Sequence, residues 1–578
     1  MNSASFTVST HPACHIPTSV FYFLSECPQY HGDSVTRCFD ILSNAHDCGL
    51  YTETIPYHII SHIGIAKMTA TTLETESIGI IGGGISGLAT ASLLANAGAD
   101  VTLYEQQEQL GGVATQISQD GFQFDAGPSW YLMPDVFERF FAHFDEAPEQ
   151  YYSLRQLDPN YQVFWKDGDT AVVPADRAGQ RALFESYEAG AGEKLETYLE
   201  EAKEAYHIGM EEFVYEHRPR LRNWIDPSLL KTARGVTLLG SMDEHVSGYF
   251  ESTKLQQLLQ YTLVFLGGSP YNTPALYSLM SHVDYNMGVY YPEGGIASVV
   301  DGLVRLAHNQ GVTIRTATGV QSIQTVSNGI QFETEKGTPQ FDRGVSAAPP
   351  AYTERELLAT GVRDHRESYW ENRTYAPSAF LLYLGVEGEI ETLDHHSLVL
   401  PTDWEPHFNS IFDEKRWPEN PSYYLNVPTA TDDTVAPDGH STLVILVPIA
   451  PGLPDNEAQR QQFRSRVFDD IAAYTGVDLR GRIVFQEEAC ISEFAAMGYP
   501  DGTALGLAHT LRQTGPFRPD HRSTAVPGLY YVGSFTNPGI GMPMCLISAE
   551  HVTQAIRNDV DSDRSSRFSR LNPMKARN

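Results

Sequence analysis

The clearest pattern of apolar residues in this chain lies between residues 78 and 105. A short apolar run, Ile78–Ile81, predicts a buried strand and ends in a cluster of glycines. Apolar residues then recur at helical spacing from Leu88 onward, and a second apolar run, Val101–Tyr104, ends at Glu105. This stretch therefore predicts a strand, a glycine-rich turn, a helix and a second strand.

The rest of the chain mixes helical and strand-like periodicity. Two helical segments precede residue 270, apolar runs of strand length follow, and a last strand leads through a glycine-rich loop into another helix. These segments are residues 194–215, 255–266 and 544–556 for helices, and 380–384, 442–447 and 529–532 for strands. Alternation of the two periods over this length predicts an α/β protein.

The glycines after the first strand have the spacing of a dinucleotide-binding turn. Gly82 makes the tight turn, Gly84 lets the backbone approach a pyrophosphate, and Gly87 lets the helix pack close to the strand. Ser86 lies in the first helical turn, where unpaired N–H groups favour phosphates. Glu105 follows the second strand, where a carboxylate can accept hydrogen bonds from a ribose. The alternative is an ordinary glycine-rich turn, but the strand–turn–helix–strand frame favours a dinucleotide.

A second glycine-rich stretch follows Glu105. Gly111 and Gly112 let the backbone run close to a cofactor, and Val113 comes directly after them. The segment Gly121–Pro128 then alternates like a strand and turns at a Gly-Pro pair. Together these residues lie where a second dinucleotide-contacting loop is needed.

These motifs resemble those of the phytoene desaturase family of carotenoid desaturases, which are flavoproteins within the flavin amine oxidase superfamily. The resemblance rests on the glycine spacing, on Glu105, on the Gly111–Gly112 turn and on Gly121–Pro128, and it covers nearly all of residues 77–557. The family usually has an Arg where this chain has Val113. A phosphate contact from that side chain is therefore lost, while backbone contacts remain possible.

The resemblance implies an α/β fold of the glutathione-reductase/amine-oxidase type. It has a discontinuous Rossmann-like FAD-binding domain and an inserted α+β substrate domain, which in the family carries an apolar tunnel and contacts the bilayer. The FAD-binding domain is expected at residues 77–160, 285–350 and 490–557, the substrate domain at 161–284 and 351–489, and a flexible tail at 558–578.

The resemblance also implies further cofactor contacts. The backbone at Val320 is expected to meet the adenine. Gly533, Gly541 and Met542 lie in a strand–loop–helix frame whose helix N-terminus can stabilise negative charge on a reduced flavin. No general base can be assigned from the sequence. Asp125 is the one candidate, and the favoured alternative is that it caps the turn at Gly127.

The charge balance of the chain is strongly acidic. There are 72 acidic and 39 basic residues among 578, a net charge of −33, and only nine of the basic residues are Lys. Such a surface suits a protein kept soluble in concentrated salt, which predicts a halophilic, haloarchaeal-like host. An ordinary acidic cytosolic enzyme is the alternative. The absence of a basic face in the sequence argues against nucleic-acid binding.

Residues 1–67 differ from the rest of the chain. They hold four of the six cysteines and few acidic residues, and they lack the pattern of a signal peptide. We expect them to be a disordered arm or an over-extended reading, with Met68 as the natural start. A zinc site from Cys14, His15, Cys27 and Cys38 would have none of the usual ligand spacings, so no metal is predicted.

The sequence favours flavin chemistry, because neither metal-ligand spacing nor a nucleophile elbow stands out and a flavin can itself accept a hydride. The leading hypothesis is FAD-dependent desaturation of a C40 carotenoid, either phytoene or, in a 3,4-desaturation, a lycopene derivative. A flavin amine oxidase is an alternative, although Cys545 does not match the flavin-linking cysteine of that family. A non-enzymatic prenyl-protein escort of the same fold is another alternative.

We expect a cytoplasmic enzyme that is peripherally associated with the membrane surface, since no apolar run has the length of a membrane span. Its substrate is expected to be an apolar polyene. Oxygen or a membrane quinone is expected to reoxidise the flavin.

Overall fold

The computed structural model describes residues 73–216, 240–510 and 512–571, with side chains up to residue 565 except that of Phe265. All of these residues fall in one unit, residues 71–578. The predictions for residues 1–67 lie outside the described residues.

The described residues form strands and α-helices that are numbered here in chain order, with three-residue helices omitted. The strands are β1 Ser77–Ile81, β2 Asp100–Tyr104, β3 Gln116–Gln119, β4 Phe122–Asp125, β5 Leu154–Gln156, β6 Tyr161–Trp165, β7 Thr170–Val173, β8 Tyr290–Pro292, β9 Thr313–Arg315, β10 Val320–Val326, β11 Gly329–Thr334, β12 Gln340–Phe341, β13 Arg343–Ser346, β14 Ser378–Glu387, β15 His396–Leu400, β16 Tyr423–Asn426, β17 His440–Ile449, β18 Ile483–Ala489 and β19 Leu529–Tyr531. The helices are α1 Ile85–Asn96, α2 Pro134–Ala142, α3 Arg177–Tyr187, α4 Ala191–Ile208, α5 Met242–Ser247, α6 Thr253–Gln260, α7 Ile296–Asn309, α8 Glu367–Glu371, α9 Glu405–Phe412, α10 Glu457–Thr475, α11 Ile491–Ala496 and α12 Met542–Leu571.

A five-stranded parallel sheet carries the glycine-rich motif. Its strand order is β19-β13-β1-β2-β9, so β1 lies at the centre with β2 and β13 on either side. The chain leaves β1 toward β2 on one side and later returns to β13 on the other. In such a sheet, a ligand binds beyond the carboxyl ends of the strands at this point of reversal. The expected Rossmann-like arrangement is therefore present.

A second sheet of seven strands lies in other parts of the chain. Its order is β18-β14-β17-β16-β15-β6-β7, and all neighbours are antiparallel except β15 and β6. Every one of its strands falls within residues 161–284 or 351–489, the ranges predicted for the substrate domain. The exact domain boundaries stay a prediction.

Two of the predicted helices begin as α-helices and end in a turn of another helical type. The predicted helix 194–215 is α4, followed by a π-helical turn over Gly209–Val214. Its predicted apolar face is buried, because Leu195, Tyr198 and Leu199 pack into the core. The predicted segment 255–266 is α6 followed by a 3-10 turn over Tyr261–Leu266. Within the described residues, no helix combines the length and the apolar character needed to cross a bilayer.

Helix α12 extends through Leu571, so it includes residues 558–571 of the range for which a flexible tail is expected. Two ion pairs join this part of the helix to the rest of the described protein: Arg522 contacts Asp559 at 2.9 Å, and Arg343 contacts Asp563 at 2.8 Å. The flexible tail stays a prediction.

Candidate dinucleotide-binding site

The first corner of the site is the turn between β1 and α1. Gly82 has a φ of +99°, in the left-handed region that favours glycine, and its N–H donates to the carbonyl of Tyr104 at 2.8 Å. Helix α1 begins after Gly84, and no side chain caps its N-terminus. The amides of its first turn therefore have no capping side chain, and their role in binding a phosphate stays a prediction.

The close packing of α1 on β1 depends on Gly87. A Cβ atom at this position would stand 2.0 Å from the carbonyl oxygen of Gly82, which is far inside van der Waals contact. At Gly84, by contrast, the nearest protein atom to such a Cβ would be 3.7 Å away. Gly87 is thus required by the protein itself, whereas a Cβ at Gly84 would meet the protein only at an ordinary van der Waals distance.

Glu105 holds the same corner from the end of β2. Its Oε2 accepts a hydrogen bond from the N–H of Gly83 at 2.7 Å, and its Oε1 accepts one from Gln107 N–H at 2.8 Å. The carboxylate is buried and lies directly under the glycine turn. Such a fixed carboxylate can accept further hydrogen bonds from ribose hydroxyls, because each oxygen has a second lone pair.

The second glycine loop packs against the first. The N–H of Gly111 donates to the carbonyl of Gly83 at 2.8 Å, and Gly111 and Gly84 form an isolated parallel bridge. Gly111 and Gly112 both have positive φ angles. Val113 turns its carbonyl toward Gly127, where a Cβ would stand only 2.1 Å from that oxygen. Gly112 therefore lies beside Gly84, and Val113 faces the Gly-Pro turn.

The C-terminal glycines come to the same place from the far end of the chain. A Cβ on Gly533 would stand 3.0 Å from Oγ of Ser86, in the first turn of α1. The N–H of Gly533 donates to Oγ of Ser548 on α12 at 3.0 Å. Helix α12 begins at Met542, directly after Gly541, which has a φ of +119°. The two predicted corners are thus neighbours.

This arrangement fits a dinucleotide. A Cβ on Gly541 would stand 3.8 Å from its nearest protein atoms, an ordinary van der Waals distance like that at Gly84. The glycine backbone, the uncapped helix and the carboxylate at Glu105 provide the approach, the amides and the acceptor that a pyrophosphate with a ribose requires. FAD is such a molecule.

Val320 lies in a separate three-stranded sheet, β10-β11-β12. It begins β10, is partly buried, and packs against the cluster that contains Ile81 and Ile323. Just before it, the N–H of Thr318 donates to the carbonyl of Glu105 at 2.8 Å. Val320 is therefore close in the fold to the strand end that carries the predicted ribose contact.

Asp125 has a different partner from the one predicted. Its carboxylate does not cap the turn at Gly127; it accepts hydrogen bonds from the N–H groups of Ile296 and Ala297, at 3.0 and 3.3 Å. It therefore caps the N-terminus of α7, a distant segment that the sequence did not connect with it. Burial raises the pKa of Asp125 to about 7, although both backbone hydrogen bonds oppose the shift.

The segment before the C-terminal corner holds buried polar residues to which the sequence assigned no role. Nε2 of His509 accepts from the N–H of Ile540 at 3.2 Å, and Nδ1 contacts the hydroxyl of Tyr277 at 2.8 Å. Burial lowers the pKa of His509 well below its usual range, so the ring is neutral. Because Nε2 accepts, the proton is on Nδ1 and is donated to Tyr277. The only sequence signal was the position of His509 in a Gly- and Pro-rich segment.

A second buried polar cluster lies in the seven-stranded part of the fold. The hydroxyls of Tyr161 and Tyr261 donate to Oδ2 of Asp284 at 3.0 and 3.2 Å. Burial raises the pKa of Asp284 to about 7, partly offset by these two bonds. Trp130, which follows the Gly-Pro turn, packs between this cluster and His396, with its ring 4.0 Å from the imidazole. Periodicity could not reveal this cluster, because its members come from four separate segments.

Comparisons with known proteins agree with this geometry. The profile of the family described as flavin containing amine oxidoreductase matches residues 85–557. The carotenoid 3,4-desaturase of Haloarcula japonica is 55% identical over 84% of this chain and 99% of its own length. The zeta-carotene-forming phytoene desaturase of Myxococcus xanthus is 30% identical over 85% of this chain and 95% of its own length.

Solved structures resemble the fold at low sequence identity. Putrescine oxidase bound to putrescine aligns with a TM-score of 0.55 at 16% identity, covering 84% of this chain and 99% of the other. An oxidoreductase from Methanosarcina mazei aligns with a TM-score of 0.55 at 15% identity, covering 83% of this chain and 100% of the other. At such identities the likeness concerns the fold alone.

Proposed function

Because the chain belongs to the flavin-containing amine oxidoreductase family and, within it, to the carotenoid desaturases, we propose that it desaturates a carotenoid at the 3,4 position. The expectation of an FAD-dependent oxidoreductase is confirmed by the family, as is the expected fold. The escort alternative has no support from these relatives. The amine oxidase alternative rests on a likeness of fold only.

The observation that carries the proposal is the meeting of the two glycine corners, with Gly533 against Ser86. A pyrophosphate held between them would have the uncapped N-terminus of α1 as its partner, and the N-terminus of α12 would stabilise negative charge on the flavin. The residues proposed to hold FAD are Gly82, Gly84, Ser86, Gly87, Glu105, Gly112, Val113, Val320, Gly533, Gly541 and Met542. Val113 and Val320 contribute through their backbone.

When bound, FAD supplies the two-electron acceptor for the hydrogen removed from the substrate. The chain's own residues bind, orient and exclude water. Glu105 fixes one ribose, and the neutral His509 holds the loop at Ile540 through its accepted hydrogen bond. The aromatic rings around Trp130 provide an apolar wall of the kind that a polyene requires. No described carboxylate is assigned as the base, because Asp125 is engaged as a helix cap.

The 3,4 position is favoured over phytoene because the 3,4-desaturase relative is far more similar than the phytoene desaturase, 55% against 30% identical. Expression in two pigment-producing hosts tests this choice. Conversion of a lycopene derivative in one host, with no change in a phytoene-accumulating host, is expected. Red product from phytoene, with the lycopene derivative unchanged, would contradict the proposed position while leaving desaturation intact.

We further propose that the enzyme works in the cytoplasm at the membrane surface, because an apolar polyene dissolves in the bilayer. Flotation with carotenoid-containing vesicles tests this, and recovery of the protein in the bottom fraction at every salt concentration would refute it. Oxygen or a quinone is proposed as the final electron acceptor. Anaerobic turnover with added quinone distinguishes the two.

The net charge of −33 supports adaptation to concentrated salt. Like charges repel over about 30 Å at 0.01 M salt but only about 3 Å at 1 M salt, so added salt relieves repulsion in the folded state. The midpoint of thermal unfolding is expected to rise steeply between these concentrations. A flat dependence would count against a halophilic protein.

A further inference from the structure

Arg518 is a buried positive charge in the segment that precedes β19. Arg518 is only 4% exposed, and its guanidinium donates to four backbone carbonyls. Nε donates to Thr536 at 2.9 Å, Nη1 to Gln513 at 3.2 Å, and Nη2 to Leu507 and Ser534 at 3.0 and 2.6 Å. The side chain therefore fastens the loop 533–541 to the segment 507–513.

Arg518 has no carboxylate partner among the described residues. Its neighbouring ionisable groups are the phenols of Tyr277 and Tyr369, which are neutral at neutral pH, and the imidazole of His509, whose pKa burial lowers well below its usual range. Burial lowers the pKa of Arg518 only to about 10, so the guanidinium keeps its charge. A buried charge is costly unless an opposite charge or many dipoles compensate it. Carbonyl dipoles alone do so in this protein, which leaves a net positive charge within the fold.

The position of this charge is informative. The loop that it fastens begins at Gly533, against Ser86 at the dinucleotide corner, and ends where α12 begins. A Cβ on Gly539 would stand 3.4 Å from Cζ of Arg518, so the guanidinium packs directly behind the loop. The guanidinium thus lies behind the loop that leads from the dinucleotide corner to the positive N-terminal end of α12.

We propose that Arg518 is a positioning residue whose buried charge compensates the negative charge that FAD gains on reduction. This inference rests on the proposed FAD site. In the reaction, the substrate loses a hydride to the flavin and a proton to the surroundings, and a carbon–carbon double bond forms. The flavin takes up two electrons and one proton and becomes an anion. Arg518 stays protonated throughout and makes the anion more stable.

Two variants distinguish the effect of the Arg518 charge from the effect of its hydrogen bonds. Arg518→Gln removes the charge and Arg518→Lys keeps it, while both break most of the carbonyl hydrogen bonds. The reduction potential of the bound FAD is expected to fall in Arg518→Gln and to stay near the wild-type value in Arg518→Lys. Sulfite, which adds to oxidised flavin and leaves it anionic, is expected to bind at least about tenfold more weakly to Arg518→Gln. If the two variants have equal reduction potentials and equal sulfite affinities, Arg518 only holds the loop in place through its hydrogen bonds, and the proposal is wrong.

The matched control is Arg522→Gln, because Arg522 is already balanced by Asp559 at 2.9 Å. Its potential and sulfite affinity are expected to match those of the wild type. FAD content and circular dichroism are recorded for each variant, so that a failure to bind FAD is seen separately. If the wild type itself binds no FAD, the proposed function fails; if all variants bind FAD with equal potentials, only this inference fails.

A measurement on the unmodified protein keeps the inference testable even where the Gln variant does not fold. If the reduced flavin is an anion, one proton accompanies two electrons, and the potential falls by about 30 mV for each tenfold decrease in proton concentration. A slope twice as steep between pH 6 and pH 8 would mean that two protons accompany the two electrons, so that the reduced flavin is neutral. That result would overturn the role of Arg518.

Discussion

Gly533 lies so close to Ser86 that a Cβ atom on the glycine would stand 3.0 Å from the serine Oγ. The first residue follows β19, and the second lies in the first turn of α1. This contact brings a segment near the C-terminus next to the first helix of the parallel sheet. The proposed FAD site depends on this contact.

Gly84→Val is expected to abolish FAD binding while preserving the fold. The backbone at Gly84 is extended, which valine adopts readily, and the nearest protein atom to its Cβ would be 3.7 Å away. The added methyl groups would extend beyond that contact, toward Gly111 and Gly112, and would narrow the gap in which the pyrophosphate is proposed to lie. Flavin released by denaturation measures cofactor content, and circular dichroism reports the fold. Gly361→Val, at a position with nothing within 4 Å, is the control. A fully flavinated Gly84→Val protein would refute the assignment.

Gly87→Ala is expected to destabilise the protein itself. Alanine normally stabilises a helix relative to glycine, but here its Cβ would stand 2.0 Å from the carbonyl of Gly82. The loss in free energy of unfolding is expected to be about 1–3 kcal/mol, as for other overpacked sites. Urea denaturation without FAD measures it. Gly361→Ala is expected to change stability by less than about 0.5 kcal/mol. A stabilised Gly87→Ala protein would contradict this packing.

Glu105→Ala is expected to weaken FAD binding about tenfold to a hundredfold. The carboxylate accepts from Gly83 N–H at 2.7 Å and, on our proposal, from a ribose, and hydrogen bonds to charged groups contribute about 1.5–3 kcal/mol. Titration of the apoprotein with FAD gives the affinity. The exposed neighbour Glu108→Ala is the control and should leave binding unchanged. Equal affinities of the two variants would remove Glu105 from the site.

Asp125→Asn is expected to change how stability depends on pH. Burial raises the pKa of Asp125 from the ordinary 3.8 to about 7, so between these values the folded protein binds the proton more tightly than the unfolded chain does. Stability of the wild type therefore falls as pH rises from about 4 to about 7, by up to about 4 kcal/mol from this group. The Asn variant keeps an acceptor for α7 and lacks this titration. Unfolding curves at several pH values test it, and parallel curves for the two proteins would contradict it.

Local sequence patterns were sufficient to predict the structure where it depends on residues that are close together in the chain. The spacing of Gly82, Gly84 and Gly87 determined the turn, because each glycine has a steric task within a few residues of the others. Helix α4 and the strands β1, β2 and β19 of the parallel sheet were predicted for the same reason. The sequence also determined the family. Its motifs resemble those of the family, and the family profile matches residues 85–557.

Contacts between distant segments were decided only by the tertiary structure. The carboxylate of Asp125 caps α7, because the fold brings residues 125 and 296 together although they are far apart in the chain. Residues 558–571 are helical, and Asp559 and Asp563 pair with Arg522 and Arg343 from other segments of the chain. The buried charge of Arg518 is satisfied by backbone carbonyls, which have no signature in a sequence. The sequence thus determined the dinucleotide turn, and the fold determined which charges surround it.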